Sequence, residues 1–300
     1  MIKTVSLLAS MALAVLVACG VGVLAAGPGV GRTATVTLVG AGDIASCSQT
    51  NDSATARLLS NIPGTVFTLG DNVYPSGTAD RFRKCYDPTW GKYKRRTKPT
   101  LGNHDYTTNG ASAYFDYFGA RAGERGKGYY SYDRGRWHIV ALNSECEKVG
   151  GCGPRSAQGR WLKKDLEANE DKTCTLAYWH EPLYASGTGS DSPAVRPFWN
   201  ILYRHDAEVI LAGHAHRYER YAKITPDGAR SAKGIRQFIV GTGGEPGGDD
   251  FDGPYHPDMQ RFKRNTPGVL KLSLRADSYA WKFVPVAGEN FTDKGTDPCH

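Results

Sequence analysis

Five times along the chain a short apolar or β-branched run ends in a small or polar residue and then delivers a side chain able to hold a metal ion. TATVTLVGAGD ends on Asp43, GTVFTLGD on Asp71, KPTLGNHD supplies Asn103 and His104, CTLAYWH ends on His180, and AEVILAGHAH supplies His214 and His216. Tyr74 stands three residues after Asp71. Two carboxylates, an amide, several imidazoles and a phenol make a mixed oxygen and nitrogen set. Such a set suits Zn, Mn or Fe, whereas Ca and Mg prefer shells of oxygen alone. Two cations about 3.5 to 4 Å apart need a bridging carboxylate to offset their repulsion, and such a pair can clamp the attacking and leaving oxygens of an in-line phosphoryl displacement. Hydrolysis of a phosphate ester is the chemistry this inventory suggests.

The elements that must position these groups follow from periodicity. The runs ahead of the ligands are near-continuously apolar, as buried strands are, and residues 53–60, 156–168 and 194–203 between them carry helical patterning. This predicts an α/β sheet. In open α/β sheets the chemistry sits beyond the carboxyl ends of the strands, so five ligand-bearing loops are expected to converge on one edge. Glycines 42, 70, 102 and 213 stand beside the ligands, where a missing Cβ permits close backbone approach. RWHIVALN, RQFIVGTG, GVLKLSL and YAWKFVPV read as further strands, expected in a second sheet packed on the first. No linker, low-complexity tract or fixed-period repeat interrupts the chain after Gly31, so residues 33–300 read as one catalytic domain.

The ordered blocks carry a resemblance. G-D at 42–43, G-D-N-V-Y at 70–74, G-N-H-D at 102–105, His180 and G-H-A-H at 213–216 resemble the calcineurin-like metallophosphoesterase superfamily, and the Tyr of G-D-x-x-Y is similar to its purple acid phosphatase branch. The resemblance implies a four-layer fold, two mixed sheets packed as a sandwich flanked by helices. It implies that Asp43, Tyr74 and His216 hold a first metal, that Asn103, His180 and His214 hold a second, and that Asp71 bridges them. A phenolate ligand favours Fe(III) in the first position, with Fe, Zn or Mn in the second. His104 would meet the substrate phosphate or leaving group as general acid or transition-state stabiliser, with Asp105 as its orienter. Three positions depart from the pattern. Ala45 stands where many members carry His, Ala215 replaces the Asp of G-H-D-H, and EPLYASGTGSD after His180 lacks the further His expected to meet the leaving group.

Composition sets the outer bounds. The 300 residues carry a net charge of +7, with 40% hydrophobic and 22% charged side chains, which excludes disorder, collagen and coiled coil. Behind Lys3, residues 5–26 are uncharged and apolar, so residues 1–26 read as an export segment. Three exits stay open: a signal-peptidase cut after Val23 and Ala25, a lipobox at residues 16–19 that would lipidate Cys19, or an uncleaved anchor. All place the domain outside the cytoplasm, secreted or on the outer face of a bacterial membrane. Discounting Cys19 leaves six cysteines, an even set suited to an oxidising compartment, with 15 connectivities open. The favoured one joins Cys146 to Cys152 as a short loop, Cys47 to Cys85, and Cys174 to Cys299.

Several features attract bland readings. His138, His205, His256 and His300 have no motif around them and read as surface or core histidines. Lys92, Lys94, Arg95, Arg96, Lys98, Arg217 and Arg220 form either a solvated face or a positive rim for anionic substrates. GTGGEPGG at 241–248 lacks the Lys-Ser/Thr of a P-loop and reads as a mobile loop. The whole reads as an exported binuclear phosphatase acting on phosphate monoesters of small molecules or polymers. A phosphodiesterase or nucleotidase on the same metals, and a non-catalytic metal- or anion-binding surface protein, are the alternatives. No specific nucleic-acid partner is expected, and the sequence leaves the oligomeric state open.

Overall fold

The computed structural model describes residues 1–2, 35–247 and 251–300, so the reading of 1–26, with its Cys19, lies outside the described residues apart from Met1 and Ile2. Thr33–His300 gathers into one compact unit, distinct from Met1–Arg32. Among the described residues, no helix is long and apolar enough to cross a membrane.

In chain order the strands are β1 (Val36–Ala41), β2 (Ala45–Ser46), β3 (Thr65–Thr68), β4 (Val73–Tyr74), β5 (Thr97–Lys98), β6 (Tyr130–Arg134), β7 (Trp137–Ala141), β8 (Cys174–Tyr178), β9 (Val209–Ala212), β10 (Arg217–Ile224), β11 (Ile235–Val240), β12 (Met259–Arg264), β13 (Gly268–Leu274), β14 (Ser278–Pro285) and β15 (Lys294–Pro298). The α-helices are α1 (Asn51–Asn61), the single turn α2 (Ala79–Arg81), α3 (Ser112–Phe118), α4 (Ala157–Glu167) and α5 (Arg196–Arg204). One sheet runs β15-β14-β13-β1-β3-β5, the other β12-β10-β11-β9-β8-β7-β6, and β2 pairs with β4 apart from both. Both large sheets are mixed: β1, β3 and β5 run parallel while β13 is antiparallel to β1, and β7, β8 and β9 run parallel while β6 is antiparallel to β7.

Strand alternation explains the layers. In β7 and β8, Ile139, Ala141, Leu176 and Tyr178 turn into a core shared with Leu270 and Leu272 of the other sheet. Their neighbours Val140 and Ala177 turn outward into a second core beneath Leu162 of α4 and Phe198 and Leu202 of α5. Strands with both faces covered need few polar positions, which is why these runs are mostly apolar, His138 and Thr175 excepted. α4 starts where Ser156 Oγ accepts the Gly159 N–H at 3.0 Å, as an N-cap should. The three helices expected at 53–60, 156–168 and 194–203 correspond to α1, α4 and α5.

One expectation about the sheets is corrected. The ligand-bearing strands do not share a sheet: β1, β3 and β5 belong to one and β8 and β9 to the other. Of the four further strands, RWHIVALN and RQFIVGTG (β7 and β11) pair beside β8 and β9, whereas GVLKLSL and YAWKFVPV (β13 and β14) pair beside β1. Apolar runs show where strands are, but pairing is set by contacts distant in sequence, which periodicity does not encode.

The disulfides are Cys47–Cys85, Cys146–Cys152 and Cys174–Cys299. The last ties the chain end to β8, which lies in the other sheet from β15. If loop closure governs their effect, removing the bridge across 125 residues costs about 5 kcal/mol and removing the one across 6 residues about 2 kcal/mol. Urea unfolding of the Cys174→Ala/Cys299→Ala and Cys146→Ala/Cys152→Ala proteins checks the order, and an equal or reversed loss would contradict it.

Candidate metal centre

Asp43 follows β1 and Asp71 follows β3, Asn103 lies five residues past β5, His180 and His214 come two residues after β8 and β9, and His216 immediately precedes β10. The strand ends of both sheets therefore open onto one point. The parallel β2 and β4 pair fastens the loop after β1 to the loop after β3 and sets Tyr74 beside both aspartates. Asp43, Asp71 and His214 have φ of 59°, 48° and 68°, left-handed values that cost about 1 to 3 kcal/mol each outside glycine and collect at functional sites. Backbone bonds hold them there: Asp43 N–H donates to Gly70 O at 3.2 Å and Ile44 N–H to Asp71 O at 3.0 Å. Glycine is required where these loops close on the ligands. A Cβ at Gly102 would lie 2.3 Å from Asp71 Oδ1, and one at Gly70 would lie 2.6 Å from His180 Nδ1.

The donor atoms form two groups. Tyr74 Oη lies 2.8 Å from Asp43 Oδ1, 2.7 Å from Asp71 Oδ2 and 3.1 Å from His216 Nε2. His180 Nε2 lies 3.1 Å from Asn103 Oδ1, 3.3 Å from Asp71 Oδ2 and 3.3 Å from His214 Nδ1. Asp71 Oδ2 belongs to both groups. For metal–donor bonds of about 2.1 Å, neighbouring donors at right angles lie about 3 Å apart, so these spacings fit two ions sharing one carboxylate. The outer ring nitrogens are occupied: His180 Nδ1 donates to Leu69 O at 2.7 Å and His216 Nδ1 to Pro246 O at 3.0 Å. A nitrogen facing a carbonyl must carry the proton, which leaves each Nε2 lone pair turned inward for a cation.

Electrostatics point the same way. Asp43, Asp71 and His180 are buried, and isolated buried charges are costly. Burial alone would raise the Asp71 carboxyl, but the charge and hydrogen bond of His180 hold it well below the usual carboxylate range. Burial lowers the His216 imidazole, yet Asp43, by charge and hydrogen bond, outweighs it and carries the ring to about 9. Burial, then the charges of Asp43 and Asp71, push the Tyr74 phenol far above its ordinary value. Without a cation, protons on the imidazoles balance the carboxylates; a cation would replace them.

His104 stands at the rim. Its backbone N–H donates to Asp71 Oδ1 at 2.8 Å, its ring Nδ1–H to Pro75 O at 2.7 Å, and Nε2 faces Asp71 Oδ2 at 3.9 Å, with a third of the side chain exposed. The expected pairing of Asp105 with this ring is not made, because Pro75 occupies Nδ1. Asp105 is instead fully buried, accepting from Gly102 N–H at 3.0 Å and Asn72 Nδ2 at 3.0 Å, and burial, reinforced by the Asp71 charge, lifts its carboxyl to about 7. It braces the loops that carry Asp71 and Asn103.

Other readings change with the structure in view. The segment 241–245 packs closely, with Gly243 N–H on Gly42 O at 2.8 Å and Glu245 N–H on Asp43 O at 2.9 Å, so it shores up the Asp43 turn where a mobile loop was expected. Arg220 is buried against Asp293 at 2.6 Å and Arg217 meets buried Glu219 at 2.5 Å, so neither forms a free positive rim. His138 is a core histidine held between Asp133 and Asp165. Ala215, in place of an Asp, sits in the outer apolar core. Two residues escaped the sequence reading. Asn72 holds Asp105 and Thr100 O, and its signal was only its place inside G-D-N-V-Y. Glu145 follows β7, and burial, opposed by His180 and aided by Glu181 and Asp71, lifts its carboxyl to about 7. Reading RWHIVALNSE by the same strand-end rule finds it.

Two outcomes follow. Gly102→Ala should displace Asp71 and leave the purified protein with fewer than two metals per chain by elemental analysis; full loading would contradict the bridging geometry. In metal-free protein, the raised His216 value gives stability that is complete below about 6.5 and lost as pH rises through about 9. The melting temperature of metal-free protein should therefore fall across that window, and one that stays level would remove the ion-pair account of His216.

The chain can now be set beside known proteins. It is 27% identical over 220 residues to purple acid phosphatase 15 of Arabidopsis thaliana, covering 61% of this chain and 40% of that one. To Fe(3+)-Zn(2+) purple acid phosphatase 12 of the same plant it is 25% identical over 251 residues, covering 71% of this chain and 52% of that one. It therefore spans about half the length of these relatives or less. A purple acid phosphatase structure from yellow lupin (Lupinus luteus) seeds superposes with a TM-score of 0.73 at 17% identity, covering 88% of this chain and 54% of that one, which shows the shared fold. Residues 37–218, from β1 to the start of β10, match the calcineurin-like phosphoesterases, and the chain belongs to that family.

Proposed function

We propose that the protein is an exported binuclear phosphatase that hydrolyses phosphate monoesters, with small molecules or polymers as the phosphorylated partner. The observation that carries this reading is Asp71 Oδ2, shared by a Tyr74-Asp43-His216 group and a His180-Asn103-His214 group. The three disulfides support export to an oxidising compartment. When bound, the metal pair supplies Lewis acidity and a water acidified toward hydroxide. Asp43, Tyr74 and His216 would hold the first ion, Asn103, His180 and His214 the second, with Asp71 between them. A phenol pressed upward by burial and by two carboxylates ionises only beside a strong cation, which favours Fe(III) in the first position. Fe, Zn or Mn suits the imidazole-rich second position, and a relative is named for its Fe(3+)-Zn(2+) pair.

The chain's own residues do the rest. His104 keeps Nδ1–H on Pro75 O, so Nε2 is the atom that gives a proton to the departing oxygen. No other histidine is placed to share that task in 181–191. The leaving group has room beside His216, where a cleft of about 430 Å³ is lined by Asn51, Glu245 and Glu289. A second cleft of about 280 Å³, lined by His214, Arg217 and Phe251, also borders His216. Space for two substituents favours a second reading, a phosphodiesterase.

Steady-state hydrolysis of an aryl phosphate monoester and the matching diester, with Fe, Zn or Mn supplied, tests both. The monoester is expected to turn over faster; a faster diester would favour the second reading, and stoichiometric metal without turnover would favour a binding protein. His104→Ala should keep two metals yet lower kcat by about 10²-fold or more, and a wild-type rate would remove it as the acid. Tyr74→Phe should abolish any visible charge-transfer band of the iron-loaded protein, and a persisting band would exclude a phenolate ligand.

A further inference from the structure

The edge strand of one sheet, β5, and the edge strand of the other, β6, come together where Tyr130 Oη donates to Pro99 O at 2.8 Å. Thr65 and Thr97 begin the strands whose far ends lead to Asp71 and Asn103, and six extended residues separate the two ends by up to about 20 Å. A cleft of about 440 Å³ opens there, lined by Arg95, Arg96, Lys98, Arg121 and Arg134 with Thr65 and no carboxylate. Among the described residues, none of these five cations forms an ion pair with Asp or Glu.

The side chains are held in place. Arg96 donates to the carbonyls of Leu59, Ile62 and Gly64, Arg121 to those of Lys94 and Arg95, and Arg134 Nε to Thr65 Oγ1 at 3.1 Å. Period-two alternation turns Tyr130, Tyr132 and Arg134 to one side of β6, where Lys98 Nζ lies 5.6 Å and 4.9 Å from the two ring centres. Burial lowers the Lys98 ammonium below its usual value, and the charges of Arg134 and Arg121 lower it further. Lys98 and Arg134 are half-buried and lie against the same aromatic face, Lys98 Nζ 4.9 Å and the Arg134 guanidinium 5.1 Å from the Tyr132 ring centre, so two cations share one ring. Crowding like charges in a half-buried cleft is unfavourable unless an anion offsets it.

We infer that this cleft is a second anion site, separate from the metal centre, which takes a multiply charged phosphate group, either inorganic phosphate or a phosphate of a polymer laid along the sandwich edge. Guanidinium forks suit phosphate oxygens in pairs, and Lys98 adds a point charge on a fixed aromatic platform. The inference does not depend on turnover at the metals.

Calorimetric titration of the metal-loaded protein with inorganic phosphate tests it, beside Lys98→Met/Arg134→Met. Wild type is expected to bind two phosphates per chain and the double variant one, with metal content and aryl phosphate turnover unchanged. Lys98→Met alone keeps every arginine hydrogen bond and should weaken the second phosphate about tenfold, the worth of one charge-assisted contact. A parallel titration with soluble poly(glycerol phosphate) separates the sources: a variant-sensitive second site for phosphate assigns the free anion, and variant-sensitive binding of the polymer alone assigns the polymer. Wild type and both variants binding each probe alike overturns the inference, as does wild type binding phosphate only at the metals while its binding of the polymer is matched by the variants.

Discussion

The carboxylate of Asp71 is engaged at both oxygens. Oδ1 takes the His104 N–H, and Oδ2 meets the Tyr74 hydroxyl and the His180 ring at once. It is buried where the strand ends of two sheets meet, and its Oδ2 faces Tyr74 from the small β2–β4 pair and His180 from the loop after β8. Much else serves that placement: the left-handed turns at Asp43, Asp71 and His214, the glycine at 102 against its oxygen, and the short β2–β4 pair that locks two loops together. Closed loops and fixed second nitrogens mean that the donors are already oriented, so ion binding need not pay for ordering them.

The protonation pattern is the other face of the same constraint. His180 is raised well above its usual value despite burial, and His216 follows it. His214, lowered by burial and by the His180 charge, is the exception and offers a neutral ring. A metal bound here would compete with protons for the same lone pairs, the coupling expected wherever ligands must be deprotonated to bind.

Much of this was legible in the sequence because nearly every candidate ligand lies just past the end of an apolar strand. Asp43, Asp71, Asn103, His180, His214 and His216 each follow an apolar run, and the structure brings all of them, with Tyr74, to one point. Which sheet each strand joins was not legible, since β13 and β14 look no different from β7 and β11 until their partners are known. The role of Asp105 was misread because sequence adjacency to His104 suggested contact, while the turn sends its carboxylate back to Gly102 and Asn72. The Cys146–Cys152 loop was readable from its closeness, whereas the 38- and 125-residue bridges had no local signal. Lys98 and Arg134 lie 36 positions apart, so only folding could show that β5 and β6 set them around one cleft.

Anomalous diffraction from crystals of the metal-loaded protein addresses the bridge itself. Two peaks about 3.5 Å apart, with Asp71 between them and Tyr74 on one only, are the expected result. A single peak, or two that do not share Asp71, would contradict the account.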